Sequence, residues 1–193
     1  MRDATEALER LCAREAEVSA HYVIGTCGTL WHLVKQEDRA WHAGAGAWQG
    51  LTDINSRSIG IELVNSGAHP FPEPQMRKLE MLMTEIMEHW RIPPENVIGH
   101  SDMAPERKED PGPHFDWRRL ALQRLAVWPE GYGEDKALET SLDSIGYPKA
   151  TPGKRLQAFR FRFLPWVTGP ETATDRRRAD AVAAALSRIL ETK

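Results

Sequence analysis

The sequence has little that could staple it covalently or carry it into a bilayer. Cys12 and Cys27 are the only cysteines in 193 residues. They allow at most one disulfide, which excludes the cystine framework of small secreted folds; both read as buried thiols. No run approaches the roughly 18 apolar residues of a membrane-spanning helix. The opening Met1-Arg2-Asp3-Ala4-Thr5-Glu6 lacks the apolar core of a secretory signal. An excess of one charge is also missing, with 25 basic and 28 acidic side chains and a formal net charge of −3. Binding nucleic acid by phosphate neutralisation calls for a basic excess, so that class of partner is not expected. What is present, 41% hydrophobic and 27% charged residues, is ordinary for a packed globular protein. At about 150 residues per domain the length suits one domain and a small second one.

Periodicity places the elements. Residues 3–13 read as a helix with Ala4, Leu8, Leu11 and Cys12 on one face. Residues 21–25 and 29–34 read as strands joined by a turn at Thr26-Cys27-Gly28. Over 58–64, Ile59, Ile61 and Leu63 share one face, which puts Glu62 on the other. Pro72-Glu73-Pro74 opens the longest helix, to about Trp90, with Met76, Leu79, Met83, Ile86 and Trp90 at helical spacing. A short strand over 96–99 then delivers His100 at its end, followed by a proline-rich loop to Pro113 and a helix from about Asp116 to Ala126. Strands interleaved with helices predict an α/β layer structure. Residues 128–133 read as a linker, and three further helices are predicted over 134–145, 152–163 and 174–190. Up to Pro129 the chain carries 14 basic and 19 acidic residues, and beyond it 11 and 9. An acidic domain over 1–128 therefore precedes a weakly cationic helical module over 134–193.

Three groups of residues suggest chemistry. In the run from Gly99 to Pro113, His100 and Asp110 are an imidazole and a carboxylate ten apart in a stiffened loop. Such a pair suits Zn²⁺ with positions left for water, and Lys108 would set a positive charge where an oxyanion forms; a solvated surface loop has the same composition. Ala40-Trp41-His42-Ala43-Gly44, with Trp48 and Asn55, suits a groove for an amphipathic sugar or peptide, or a tryptophan half-buried at a sheet edge. Glu62, a carboxylate in an apolar strand, is either a sheet-face residue or a general base.

Together these stretches resemble the zinc-dependent N-acetylmuramoyl-L-alanine amidases of the type-2 family, relatives of the peptidoglycan recognition proteins. The matching text is Val18-Ser19-Ala20-His21-Tyr22-Val23-Ile24, Ala40-Trp41-His42-Ala43-Gly44, Asn55 with Ser58-Ile59-Gly60-Ile61-Glu62-Leu63, Gly99-His100-Ser101-Asp102, and Arg107 to Pro113. It spans about residues 1–127 in the family's order. The resemblance implies a central mixed β-sheet flanked by helices, with a zinc ion on the floor of a shallow groove. It puts His100 and Asp110 on two of three zinc ligands, Glu62 on the catalytic glutamate and Lys108 on the lysine beside the carbonyl oxygen. Trp41, His42 and Asn55 match positions near the muropeptide groove. The tail resembles the three-helix peptidoglycan-binding module appended to some of these amidases; a plain helical cap is the other reading.

The implied activity is zinc-dependent hydrolysis of the amide bond between N-acetylmuramic acid and L-alanine in peptidoglycan or muropeptides, in the bacterial cytoplasm or periplasm. The family's first zinc ligand is a histidine closing a strand just before the first helix. Here that helix starts at about Asp3 and no residue occupies the position, so the chain reads as truncated at its N-terminus. Three readings of the gap stand: an ordinary amidase lacking its start, a substitute ligand such as His42 or His114, or an inactive muropeptide-binding protein. A metalloprotease is disfavoured, since no His-Glu-x-x-His helix is present.

Overall fold

The computed structural model describes residues 3–191 and shows an α/β protein with a three-stranded mixed sheet and seven α-helices. The described residues divide into two compact units. The first runs to Gly46 and resumes over Thr52–Ile92. Its first helix, α1 (Ala4–Cys12), is capped by Asp3, whose carboxylate accepts the Glu6 N–H at 3.0 Å. Ala7 and Leu11 turn inward onto Ala20, Val23 and Val64, with Leu8, Trp31 and Leu33 packed around them. Cys12 and Cys27 are exposed free thiols, not buried ones. Cys12 closes α1 one position beyond the inward Leu11, and Cys27 sits in the turn closed by the Gly28 N–H on Gly25 O.

Strands β1 (Tyr22–Ile24), β2 (Leu30–His32) and β3 (Ile61–Leu63) form a sheet in the order β2-β1-β3. β1 pairs antiparallel with β2, Val23 opposite Trp31, and parallel with β3, Val23 opposite Glu62. The central β1 is buried at every position, whereas all three residues of β3 are only half-buried. The alternation read from the sequence over 58–64 is therefore blunted, as befits a strand with one paired neighbour. Helix α2 (Glu73–Trp90) starts with Pro74 in its first turn and buries Met76, Leu79, Met83 and Ile86. Its fully buried Gln75 donates to the carbonyls of Ile24 (2.8 Å) and Val64 (3.0 Å), locking the helix to the ends of β1 and β3. Trp90 is 41% exposed rather than core; its indole N–H donates to Gln36 Oε1.

The second unit comprises Ala47–Leu51 and the chain from Pro93 onward. The strand expected over 96–99 does not form. Pro94–Asn96 is a 3-10 turn, and His100 opens the one-turn helix α3 (His100–Met103). The Asp102 carboxylate takes the Gly99 N–H at 2.9 Å, which starts a helix where the apolar residues alone suggested extension. α4 (Trp117–Leu122) is capped by Asp116; it stops short of the expected Ala126, and Arg124 adopts φ 61°.

α5 (Leu138–Ile145), α6 (Pro152–Phe163) and α7 (Ala173–Glu191) follow. α5 begins four residues later than the predicted start, because the Glu134 N–H is taken by the Asp180 carboxylate at 2.8 Å. Leu142, Ile145, Phe159, Phe163, Ala179, Val182 and Leu186 make its core. Within it, Arg160 holds Asp175 through two 2.7 Å hydrogen bonds and also donates to the Gly169 and Pro170 carbonyls. No helix among the described residues is long and apolar enough to cross a membrane.

Candidate active site

The residues singled out from the sequence fall into two groups, one in each unit. In the second unit, His100 and Asp110 meet: the imidazole Nδ1 and the carboxylate Oδ2 are in direct hydrogen-bond contact. Two backbone features hold them there. The Ser101 N–H donates to the Asp110 carbonyl at 2.9 Å, tying the first turn of α3 to the far end of the loop. Gly99 has no side chain where Pro111 packs, and a Cβ there would lie 2.6 Å from Pro111 Cδ and 3.3 Å from Trp117. His100 is mostly buried, its side chain 18% exposed, while that of Asp110 is 54% exposed. Burial pushes the Asp110 carboxyl up, but the His100 hydrogen bond and the charges of His100 and Lys108 outweigh it and hold the group below its usual range. Lys108, half-buried, is thus close enough for its charge to be felt at Asp110; its own N–H is spent on Ala104 O.

In the first unit, Glu62 is the central residue of β3 and half-buried. Trp41 is 55% exposed, with the Arg39 guanidinium 4.3 Å above its ring. Arg39 is anchored by an ion pair to Asp53 at 2.9 Å and by a hydrogen bond to Ser56. Asn55 is buried, and its Oδ1 accepts the Ala43 N–H at 2.8 Å, fastening the Trp41–Gly44 segment to the 54–56 turn. His42 lies over Gly60, where any Cβ would collide with its ring. Its Nε2 is 3.4 Å from Ser58 Oγ, and its ring is edge-on to His21 with centroids 5.7 Å apart. His21 is itself buried: Nδ1 accepts the Gly60 N–H at 2.9 Å and Nε2 donates to Asp38 O at 3.1 Å. Burial lowers its pKa, with the Asp38 carbonyl acting in the opposite sense. Trp48, grouped with Trp41 in the sequence, belongs to the other unit and packs edge-on against Tyr147 with centroids 5.3 Å apart.

Sequence patterning missed a buried polar cluster behind α3. Asp102 is 1% exposed, and besides Gly99 it accepts from Arg162 Nη1 and from the Tyr147 hydroxyl, both at 2.8 Å. Burial, with the Asp102 charge, keeps the Tyr147 phenol protonated far above its ordinary value. The partners lie 45 and 60 residues away, beyond any local pattern.

The imidazole nitrogen and the carboxylate oxygen that converge here are donor types zinc favours. They would supply two protein ligands, where a catalytic zinc takes three. Among the described residues no group of three His, Cys, Asp or Glu could hold a metal, and His114 is exposed.

Comparison with known proteins identifies the class. A family model described as N-acetylmuramoyl-L-alanine amidase matches residues 1–113, and the chain belongs to that family. Among its relatives, N-acetylmuramoyl-L-alanine amidase AmiD of Escherichia coli K12 is 34% identical over 89% of this chain and 74% of its own length. The 1,6-anhydro-N-acetylmuramyl-L-alanine amidase AmpD of Haemophilus influenzae is 42% identical over 54% of this chain, which spans 58% of AmpD. Of solved structures, the complex of AmiD from E. coli with anhydro-N-acetylmuramic acid-L-Ala-D-gamma-Glu-L-Lys superposes with a TM-score of 0.85 at 31% identity, covering 99% of this chain and 86% of AmiD. AmpDH3 of Pseudomonas aeruginosa gives a TM-score of 0.86 at 26% identity over 96% of this chain and 88% of its own.

Proposed function

We propose that this chain is a zinc-dependent amidase that cleaves the bond between N-acetylmuramic acid and L-alanine in muropeptides. The observation that carries it is the His100–Asp110 contact within the Gly99–Pro113 run, in a chain 34% identical over most of its length to AmiD. The anhydro-muropeptide in the AmiD complex supports a peptidoglycan fragment as substrate.

An amide offers a weakly electrophilic carbonyl and a poor leaving group, so water must be activated and the amine protonated. His100 and Asp110 would hold the zinc, which when bound lowers the pKa of its water towards about 7. Glu62, by its match to the family's catalytic glutamate, takes a proton from the attacking water and passes it to the departing amine. Lys108 supplies a positive charge to the oxyanion that develops on the carbonyl. Trp41, exposed and braced by Arg39, offers an apolar face to sugar or peptide, with His42 and Asn55 shaping the segment around it.

Residues 134–193 we assign as a helical peptidoglycan-binding-like module following an amidase domain over 1–128. In its support, a groove of about 570 Å³ has Leu156, Phe161, Val167 and Pro170 in its walls, and Trp166 is 68% exposed nearby in the chain. Trp166→Ala should reduce co-sedimentation with insoluble sacculi; unchanged pelleting favours a plain helical cap.

A second reading stands beside it, an inactive muropeptide-binding protein, since among the described residues two candidate ligands converge and no group of three does. Metal analysis of the purified chain separates the two. One zinc per chain, lost on His100→Ala or Asp110→Ala, supports the hydrolase; muropeptide affinity with no bound metal supports the binder.

A further inference from the structure

The loop that carries His100, Lys108 and Asp110 is gripped from behind by α6, and the grip is ionic at its centre. Arg162, 3% exposed in its side chain, donates Nη1 to Asp102 Oδ2 at 2.8 Å. The same carboxylate takes the Gly99 N–H and the Tyr147 hydroxyl, so all three donors converge on the residue that starts the turn bearing His100. From that turn the Ser101 N–H reaches the Asp110 carbonyl, linking Asp102 to both members of the pair in a few bonds. Arg162 also stacks 4.1 Å over Trp117, whose ring packs beside Gly99. At the other end of α6, the Thr151 N–H and hydroxyl bind the Glu106 carboxylate at 2.8–2.9 Å, and Lys154 pairs with Glu109 at 2.9 Å. The helix therefore touches the loop on both sides of Lys108.

An apolar contact would hold α6 in place without fixing its register, whereas a buried hydrogen-bonded ion pair admits one arrangement. The pair is not the most stabilising filling of this space. Among the described residues Arg162 Nε has no hydrogen-bond partner, and a buried unsatisfied donor is costly. We infer that Asp102, Arg162 and Tyr147 are positioning residues that set the geometry of the His100–Asp110 pair, so that the C-terminal helices tune metal binding as well as any contact with the cell wall. This rests on the reading of His100 and Asp110 as metal ligands. Groups hydrogen-bonded directly to a ligand typically contribute about 10- to 100-fold to metal affinity; Arg162 and Tyr147 act one residue further back, through Asp102, so a smaller loss is expected.

The test uses the full chain and the Tyr147→Phe, Arg162→Met and Arg162→Lys variants. Zinc affinity is measured by competition with a chromophoric chelator, and Co²⁺ absorption reports ligand geometry. Tyr147→Phe and Arg162→Met should weaken zinc binding about 3- to 10-fold, below the effect of losing a direct ligand partner, and shift the cobalt spectrum, with Arg162→Lys recovering part of both. Circular dichroism identifies variants that remain folded. Should Arg162→Met not fold, Tyr147→Phe, which keeps the buried ring, carries the test alone. Wild-type zinc affinity and an unaltered cobalt spectrum in folded variants would overturn the inference while leaving the metal site standing. A wild-type chain that takes up no metal would overturn the metal reading and the inference with it.

Discussion

His21 shows how a residue matched within a family motif can be structural. Its imidazole is neutral in the fold, because Nδ1 accepts the Gly60 N–H while Nε2 donates to Asp38 O. Burial holds its pKa below the ordinary 6.5. On acidification the unfolded chain therefore takes up the proton first. The stability contributed by a neutral His21 is complete above about pH 6.5 and declines as pH falls towards the folded-state value. His21→Gln should be less stable at pH 7.5, and the gap to wild type should narrow by pH 5.5 in urea melts; parallel curves would contradict this. Glu62 makes the opposite case, a residue assigned to chemistry. Glu62→Gln keeps the shape and the sheet pairing with Val23 but cannot accept a proton. It should retain metal and fold while kcat drops about 10²- to 10⁴-fold, and wild-type turnover would place the base elsewhere. With Lys108 in its proposed role beside the oxyanion, Lys108→Ala should cost about a hundredfold or more in kcat; unchanged kcat would remove that role. The individual candidate residues could be singled out in the sequence because each sits in a short motif. The Asp102–Arg162–Tyr147 cluster could not, since its members carry no pattern until the chain folds.

Among elements, legibility followed how local the determining forces are. The long helix over 73–90 was marked by Pro72 and Pro74 and by a continuous apolar stripe, and α6 coincides with its predicted 152–163 span. The strand expected at 96–99 failed because a side chain three residues on, Asp102, captures the Gly99 N–H and opens a helix instead. Pro93 and Pro94 just before it lead into a 3-10 turn. α5 was misjudged at its start, where a contact with Asp180 46 residues away decides the backbone. Its end was read correctly: Gly146 sits at φ 112°, and its N–H bonds the Leu142 and Asp143 carbonyls. A Cβ at Gly146 would lie 2.5 Å from Gln49 Cγ and 3.0 Å from Gln49 N. Gly146→Ala should therefore destabilise the protein by about 1–3 kcal/mol, read as a lower urea midpoint. An unchanged midpoint would mean that the turn relaxes without strain.

At the scale of the whole molecule, resemblance over the first two thirds of the sequence implied a fold that composition could not. An even charge balance and an ordinary apolar fraction are shared by countless α/β proteins, whereas several motifs in register single out one family, to which the chain belongs. The C-terminal helices were legible as helices but not in their attachment. Arg162, Thr151 and Lys154 reach the 99–113 loop through side chains that sequence periodicity treats as surface. Deleting residues 134–193 would consequently remove Arg162 and Tyr147, the side-chain partners of Asp102, together with any wall-binding surface, and point variants resolve the two roles where truncation mixes them.

A chain that breaks the amide next to a muramyl lactyl group must release two products, and these can be identified by mass. Purified protein with zinc is incubated with anhydro-N-acetylmuramic acid-L-Ala-D-gamma-Glu-L-Lys, and the mixture is resolved by liquid chromatography and mass spectrometry. An amidase gives free anhydro-N-acetylmuramic acid and the intact tripeptide, one water having been added across the bond, with the yield collapsing in Glu62→Gln. Recovery of the muropeptide uncleaved, while the protein binds it, would show a binding protein and no hydrolase.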